Sequence, residues 1–85
     1  SILSMAMENP ITNGDVLQHV YGFPVSRFTR AQRFDRDHIG VKRYLSATSS
    51  VSRALTRLRE RGLMRRGAWG NHELTDAGWR LVRNG

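Results

Sequence analysis

Arginine is the reactive chemistry this chain holds most of. Thirteen of its 14 basic residues are arginine, with Lys42 the lone lysine, against seven Asp and Glu. The guanidinium is planar, permanently charged and forked, a geometry that suits phosphates and the O6/N7 edge of guanine. The charge is unevenly placed. Residues 1–26 carry Glu8 and Asp15 and no base, while residues 27–66 carry twelve bases against Asp35, Asp37 and Glu60, a local balance of +9. Residues 67–85 are neutral, and the whole chain stands at +7 with a pI near 11.5. A basic middle between uncharged ends is the footprint of a surface for a polyanion; the plain alternative is a solvated, arginine-rich surface.

Within that middle, small hydroxyls interleave with bases: Lys42, Arg43, Ser46, Ser49, Ser50, Ser52, Arg53 and Arg57. A DNA major groove about 12 Å wide admits one helix. Short polar side chains near its N-terminal half let the backbone approach, and their hydroxyls reach phosphates or base edges. Arg53, one turn further along, has the length to bridge a guanine edge, and Arg57 that to meet phosphate. The same serines could instead cap the helix, and the same arginines could form surface ion pairs worth about 0–1 kcal/mol. A second group follows: Arg65, Arg66, Trp69, Asn71 and His72. In an extended strand Arg65 and Arg66 point to opposite faces, so one can meet nucleic acid while the other does not. Trp69 lies between Gly67 and Gly70, either as a stacking or backbone-contact group or as a lid on the core. Trp79 reads as core.

Other chemistry is poorly served. The chain has no cysteine, which removes disulfides, thiolate metal sites and thiol catalysis. His19, His38 and His72 lack ligand spacing, and there is neither a Gly-x-x-x-x-Gly-Lys loop nor a paired His-Glu metal motif. A groove-type surface on 85 residues leaves little room for a deep catalytic pocket. The expectation is a non-enzymatic protein without cofactor or metal. No apolar run approaches the roughly 18 residues of a membrane span, and no secretory leader is visible. A cytoplasmic location is therefore expected, nucleoid-associated in a prokaryote, with no membrane partner.

The elements that would position these residues follow from periodicity. Residues 1–10 lack a period and read as a tail, leaving 11–85 as a single domain. Thr12 or Asn13 caps a helix whose inner face is Val16, Leu17, Val20 and Tyr21, stopped by Gly22-Phe23-Pro24. A second helix is expected within 26–38, where Phe28, Ala31 and Phe34 recur every three residues beside Arg27, Arg30, Arg33 and Arg36; those arginines could form a second phosphate track. Gly40 breaks it. The strongest signal spans 42–61: Val51, Ala54, Leu55 and Leu58 fall in one arc, opposite Lys42, Ser46, Ser49, Arg53, Thr56 and Glu60. That helix starts at residue 42 or near 47. It ends at Gly62, with Leu58 and Leu63 placed as the apolar pair of a Schellman motif. A hairpin follows over 63–75. Thr75 then caps a last helix with Ala77, Leu81 and Val82 inward, in which Gly78 costs about 1 kcal/mol relative to Ala. The fold class is α+β, mostly α.

The run from Ser49 through Ser50-Val51-Ser52-Arg53-Ala54-Leu55 to Arg61-Gly62-Leu63-Met64-Arg65-Arg66 resembles the recognition helix and first wing strand of winged helix-turn-helix transcription regulators, closest to the MarR-like kind. Leu74-Thr75-Asp76-Ala77-Gly78 is similar to the Leu-Thr-x-x-Gly segment after the wing of the same regulators. The resemblance covers residues 46–82. It implies a recognition helix in the major groove of double-stranded DNA, a wing on the backbone, and transcription regulation. Two departures stand out. Ile39-Gly40-Val41 looks like the family's helix-ending turn but precedes Val51 by ten residues rather than about five, as though the recognition helix were extended by residues 42–46. The long C-terminal dimerisation helix is not seen, so a monomer, a dimer through residues 1–25, or a module of a larger protein is expected. Two rival readings use the same fold: a protein–protein assembly module, and an RNA-binding domain in which Trp69 and Tyr44 stack on unpaired bases.

Overall fold

A computed structural model describes residues 2–24, 34 and 36–84. Helix α1 spans Ile2–Met5, α2 Asn13–Val20, α3 Arg36–Ile39, α4 Val41–Glu60 and α5 Asp76–Asn84. Strands β1, Met64–Arg66, and β2, His72–Leu74, form an antiparallel hairpin between α4 and α5. This is the expected mostly helical α+β architecture of a winged helix, with a long helix, a two-stranded wing and a short closing helix. Of the expected helix over 26–38, residues 26–33 and 35 lie outside the described residues, Phe34 is not helical, contrary to expectation, and the end is α3.

Local chemistry explains the boundaries. Thr12 caps α2 reciprocally: its hydroxyl accepts from the Asp15 N–H at 3.1 Å, and the Asp15 carboxylate accepts from the Thr12 N–H at 2.9 Å. Val16 and Leu17 are buried, but Val20 and Tyr21 are 58% and 38% exposed, contrary to expectation. Val20 still lies within α2 and Tyr21 caps it with helical backbone, so it is the core that does not reach over this last turn. The chain turns at Gly22 and sends Phe23 into the core instead, its N–H donating to the Leu17 carbonyl at 3.3 Å.

Gly40 alone separates α3 from α4, so α4 is the extended form, 20 residues and about 30 Å long. Its buried line is Ala47, Val51 and Leu55, with Tyr44 and Leu58 packed against the core and Ala54 half-buried. Ala47 extends the expected arc by one turn. The exit is a Schellman motif: Gly62, at φ 74°, donates to the Arg59 carbonyl at 2.9 Å and Leu63 to that of Leu58 at 3.0 Å.

The next junction gives the Leu-Thr-x-x-Gly segment its physical meaning. The Thr75 hydroxyl donates to the Gly62 carbonyl and accepts from the Gly78 N–H, while the Thr75 N–H donates to the Leu63 carbonyl at 3.1 Å. Gly78 lies so close beneath that a β-carbon there would fall 2.1 Å from the Leu63 oxygen. Its helix-propensity cost is thus the condition for docking α5. The docking also rotates α5 away from the expected face. Gly78 is buried and Trp79 packs on the core, whereas Ala77 and Leu81 are exposed and Val82 is half-buried. In the N-terminal segment Ala6 is 5% exposed, and Ile2, Leu3 and Met5 pack on the core. Finally, Ile11 exchanges both backbone hydrogen bonds with His72, at 2.7 and 2.9 Å, adding an isolated bridge to the outer edge of β2.

Candidate nucleic-acid interface

The packed underside of α4 determines what its other face shows. With Ala47, Val51 and Leu55 inward, Lys42, Ser46, Ser49, Arg53 and Arg57 fall on the outward side, and all five are exposed. Ser52 is exposed on one flank and Ser50 half-buried on the other. Arg43 is exposed but leans back, its guanidinium carbon 5.2 Å from the Phe23 ring centre. Among the described residues none of these bases has an ion-pair partner. The arrangement is a helix of which one side is a polar, cationic strip and the other is bolted to the core.

The hairpin carries the second group. The register pairs Met64 with Leu74, Arg65 with Glu73 and Arg66 with His72. Cross-strand neighbours interact, so Arg65 Nε donates to Glu73 Oε1 at 2.7 Å. Arg66 points to the opposite face, is exposed, and has no ion-pair partner among the described residues. Trp69 is 97% exposed, which removes the lid reading. It also has φ 61° and ψ 26°, a left-handed conformation that costs a non-glycine residue about 1–2 kcal/mol. Asn71 is half-buried, and its backbone closes the turn: its carbonyl accepts from Gly67 and its N–H donates to Ala68.

His72 is the candidate contact that the fold turns inward. It is 7% exposed, and its Nε2 lies 2.8 Å from Asn13 Oδ1 on α2. Burial, then Arg59, then Arg66 lower its pKa below the ordinary histidine value. The residue that sequence reasoning passed over is Arg59. It is half-buried on the flank of α4 facing the hairpin, its guanidinium donating to the Thr56 hydroxyl at 3.1 Å. Its helical position could have been drawn from the sequence, but its neighbours across the groove could not.

Of the expected second phosphate track, Arg27, Arg30 and Arg33 lie outside the described residues, and Arg36 rests over the Tyr44 ring at 4.9 Å. Tyr44 also meets Phe34 at 5.9 Å between ring centres and is half-buried. Among the described residues no group of His, Cys, Asp or Glu could hold a metal ion, and no helix is long and apolar enough to cross a membrane. The fold and this two-part surface define a winged-helix-like domain with a cationic face. Searches of protein-family profiles, curated proteins and solved structures return no match to the chain.

Proposed function

We propose that this domain is a winged helix-turn-helix of the MarR-like kind that binds double-stranded DNA sequence-specifically and serves transcription regulation. The observation that carries the reading is the outward face of α4, where Lys42, Arg53 and Arg57 stand exposed among serines with no carboxylate among the described residues paired to them. Leaving three bases uncompensated on one helix face suits a polyanionic partner. In this reading Ser46, Ser49, Ser52 and Arg53 meet base edges, Arg57 and Lys42 meet phosphates, and Arg66 and Trp69 approach the backbone from the wing.

The RNA reading loses one of its two stacking groups, since Tyr44 is already engaged by Phe34 and Arg36. The protein-assembly reading predicts little salt dependence on DNA. A titration of duplex DNA against salt tests the proposal. If about five to seven bases neutralise phosphates, log K falls against log salt with a slope of roughly −4.5 to −6. No binding at low salt, or equal affinity for single-stranded RNA at one ionic strength, overturns it.

A further inference from the structure

Between α4 and the hairpin lies a groove of about 330 Å³ in which Arg59, Arg66, Ser52, Thr56, Asn13 and His72 converge. We propose that this groove is an anion site for a tetrahedral oxyanion, a phosphate or sulfate group either free or within a phosphodiester.

The geometry supplies the argument. Two guanidiniums and two hydroxyls line the groove, and among the described residues no carboxylate does. Among the described residues neither arginine has an ion-pair partner. Bringing two like charges to one cleft is unfavourable until an anion occupies it, and charge-assisted bonds from arginine to a tetrahedral oxyanion are short and strong. His72 lines the same groove and is itself buried. Because Asn13 Oδ1 only accepts, the ring's proton sits on Nε2, and Nδ1 is then a bare acceptor. That atom is buried without a hydrogen-bond partner, which native structures seldom tolerate without a role. Asn13 is held in this orientation by its Nδ2 donating to the Ser52 hydroxyl at 3.4 Å. The charged groups facing His72 are Arg59 from α4 and Arg66 from β1; the α2 side presents the neutral amide of Asn13. Both arginines oppose its protonation. An anion between them reverses that opposition, so occupancy and a proton on Nδ1 favour one another.

The site does not depend on the duplex reading, and the test separates them. The His72 ring is followed by NMR through a pH titration of the whole chain in sodium sulfate and in sodium chloride at equal ionic strength. Sulfate keeps its charge over this range, so of the ligand and His72 only the histidine changes protonation. The expected result is a His72 pKa higher in sulfate by about one unit, which by linkage means about tenfold tighter sulfate binding below both pKa values than above them. Arg66→Gln, at an exposed position, is expected to weaken sulfate binding several-fold and shrink that shift. His72→Gln, which keeps an amide donor for Asn13, is expected to abolish the pH dependence of binding. The same His72 titration in both salts overturns the proposal, as does an undiminished shift in Arg66→Gln. A short duplex that competes with sulfate assigns the site to a backbone phosphodiester; inorganic phosphate competing where the duplex does not assigns it to a free anion. A duplex that fails to bind at all while sulfate still shifts His72 removes the DNA reading and leaves this site standing.

Discussion

The long helix and the hairpin carry the same residue, arginine, in different states. On α4, Arg53 and Arg57 project into solvent from a helix whose underside is Val51 and Leu55, 2% and 1% exposed. On the hairpin, Arg65 is held by Glu73 across the ladder, while Arg66 has no ion-pair partner among the described residues. Their supports differ as well. The helix rests on a long apolar seam, whereas the hairpin is anchored at points: Met64 and Leu74 in the core, His72 bridged to Ile11, and the junction of Leu63, Thr75 and Gly78 with α5. The difference separates two tasks. A platform with several unpaired charges is suited to reading a groove, and a core-anchored hairpin with one compensated arginine is suited to holding the backbone beside it.

The comparison breaks most severely if its platform is removed. Leu55→Ala takes the most buried side chain out of the seam beneath α4 and is expected to cost about 2–5 kcal/mol. A domain this small holds on the order of 5 kcal/mol in total, so thermal melting by circular dichroism should show a largely unfolded chain. An unchanged melt would mean that the face assigned to solvent is the wrong one. Gly78→Ala attacks the wing's tether. Its new methyl meets the Leu63 carbonyl oxygen, and overpacking of this kind costs about 1–3 kcal/mol against a helix-propensity gain of about 1 kcal/mol. Net destabilisation in urea supports the junction; stabilisation would show that α5 is not docked there.

Function sharpens the contrast at lower cost. Arg53→Ala is expected to lose about 1–3 kcal/mol on a preferred duplex and much less on random duplex, with the melt unchanged. Arg66→Ala is expected to weaken both duplexes alike and reduce the salt slope by about one. Equal losses for Arg53→Ala on both duplexes would make Arg53 a phosphate anchor and move base reading to the serines. A smaller effect is expected of Glu73→Gln, which frees Arg65 from a surface pair worth about 0–1 kcal/mol and should steepen the salt slope slightly. No change in slope would mean that Arg65 stays off the nucleic acid whether paired or not.

The smallest effect concerns pH. His72 has its folded-state pKa lowered by burial, Arg59 and Arg66. The unfolded chain therefore takes up a proton first as pH falls through the ordinary histidine range. Its contribution to stability is present above about pH 6.5 and declines below it toward the lowered folded pKa. In a buffer without multivalent anions, the melting temperature should drop over that window, and His72→Gln should flatten the drop.

Much of this was legible in the sequence, for reasons that differ by residue. The α4 stripe of Val51, Leu55 and Leu58 and the Gly62-Leu63 exit are local signals, each contained within about two helical turns. The Thr12 cap is local too. What escaped depended on distant partners. His72 reads as an exposed wing residue until Asn13, 59 residues away, is placed against it. That Arg65 has a carboxylate beside it is not legible either, because only the hairpin register sets Glu73 opposite. Gly78 reads as a weakness until Leu63 is seen to lie over it, and that docking rather than α5's own apolar residues determines its inner face. For the candidate interface, composition and spacing indicated the outward strip of α4, while the Arg59–Arg66–His72 groove needed three elements assembled.

The Ile11–His72 bridge has a consequence for the order of folding. Its two hydrogen bonds join strand-like backbone 61 residues apart, closing a loop that contains α2, α3 and α4. Closing a loop of that length before any contact rewards it is entropically unfavourable, and contacts of large sequence separation slow folding. The helices and the hairpin, built from neighbours in the chain, can form earlier; the clasp at Ile11 joins the two ends of that loop afterwards. Contacts made after the transition state govern unfolding more than folding. Ile11→Val, a one-methylene trim at a 4% exposed site, should accordingly speed unfolding in stopped-flow measurements while leaving the refolding rate nearly as it was.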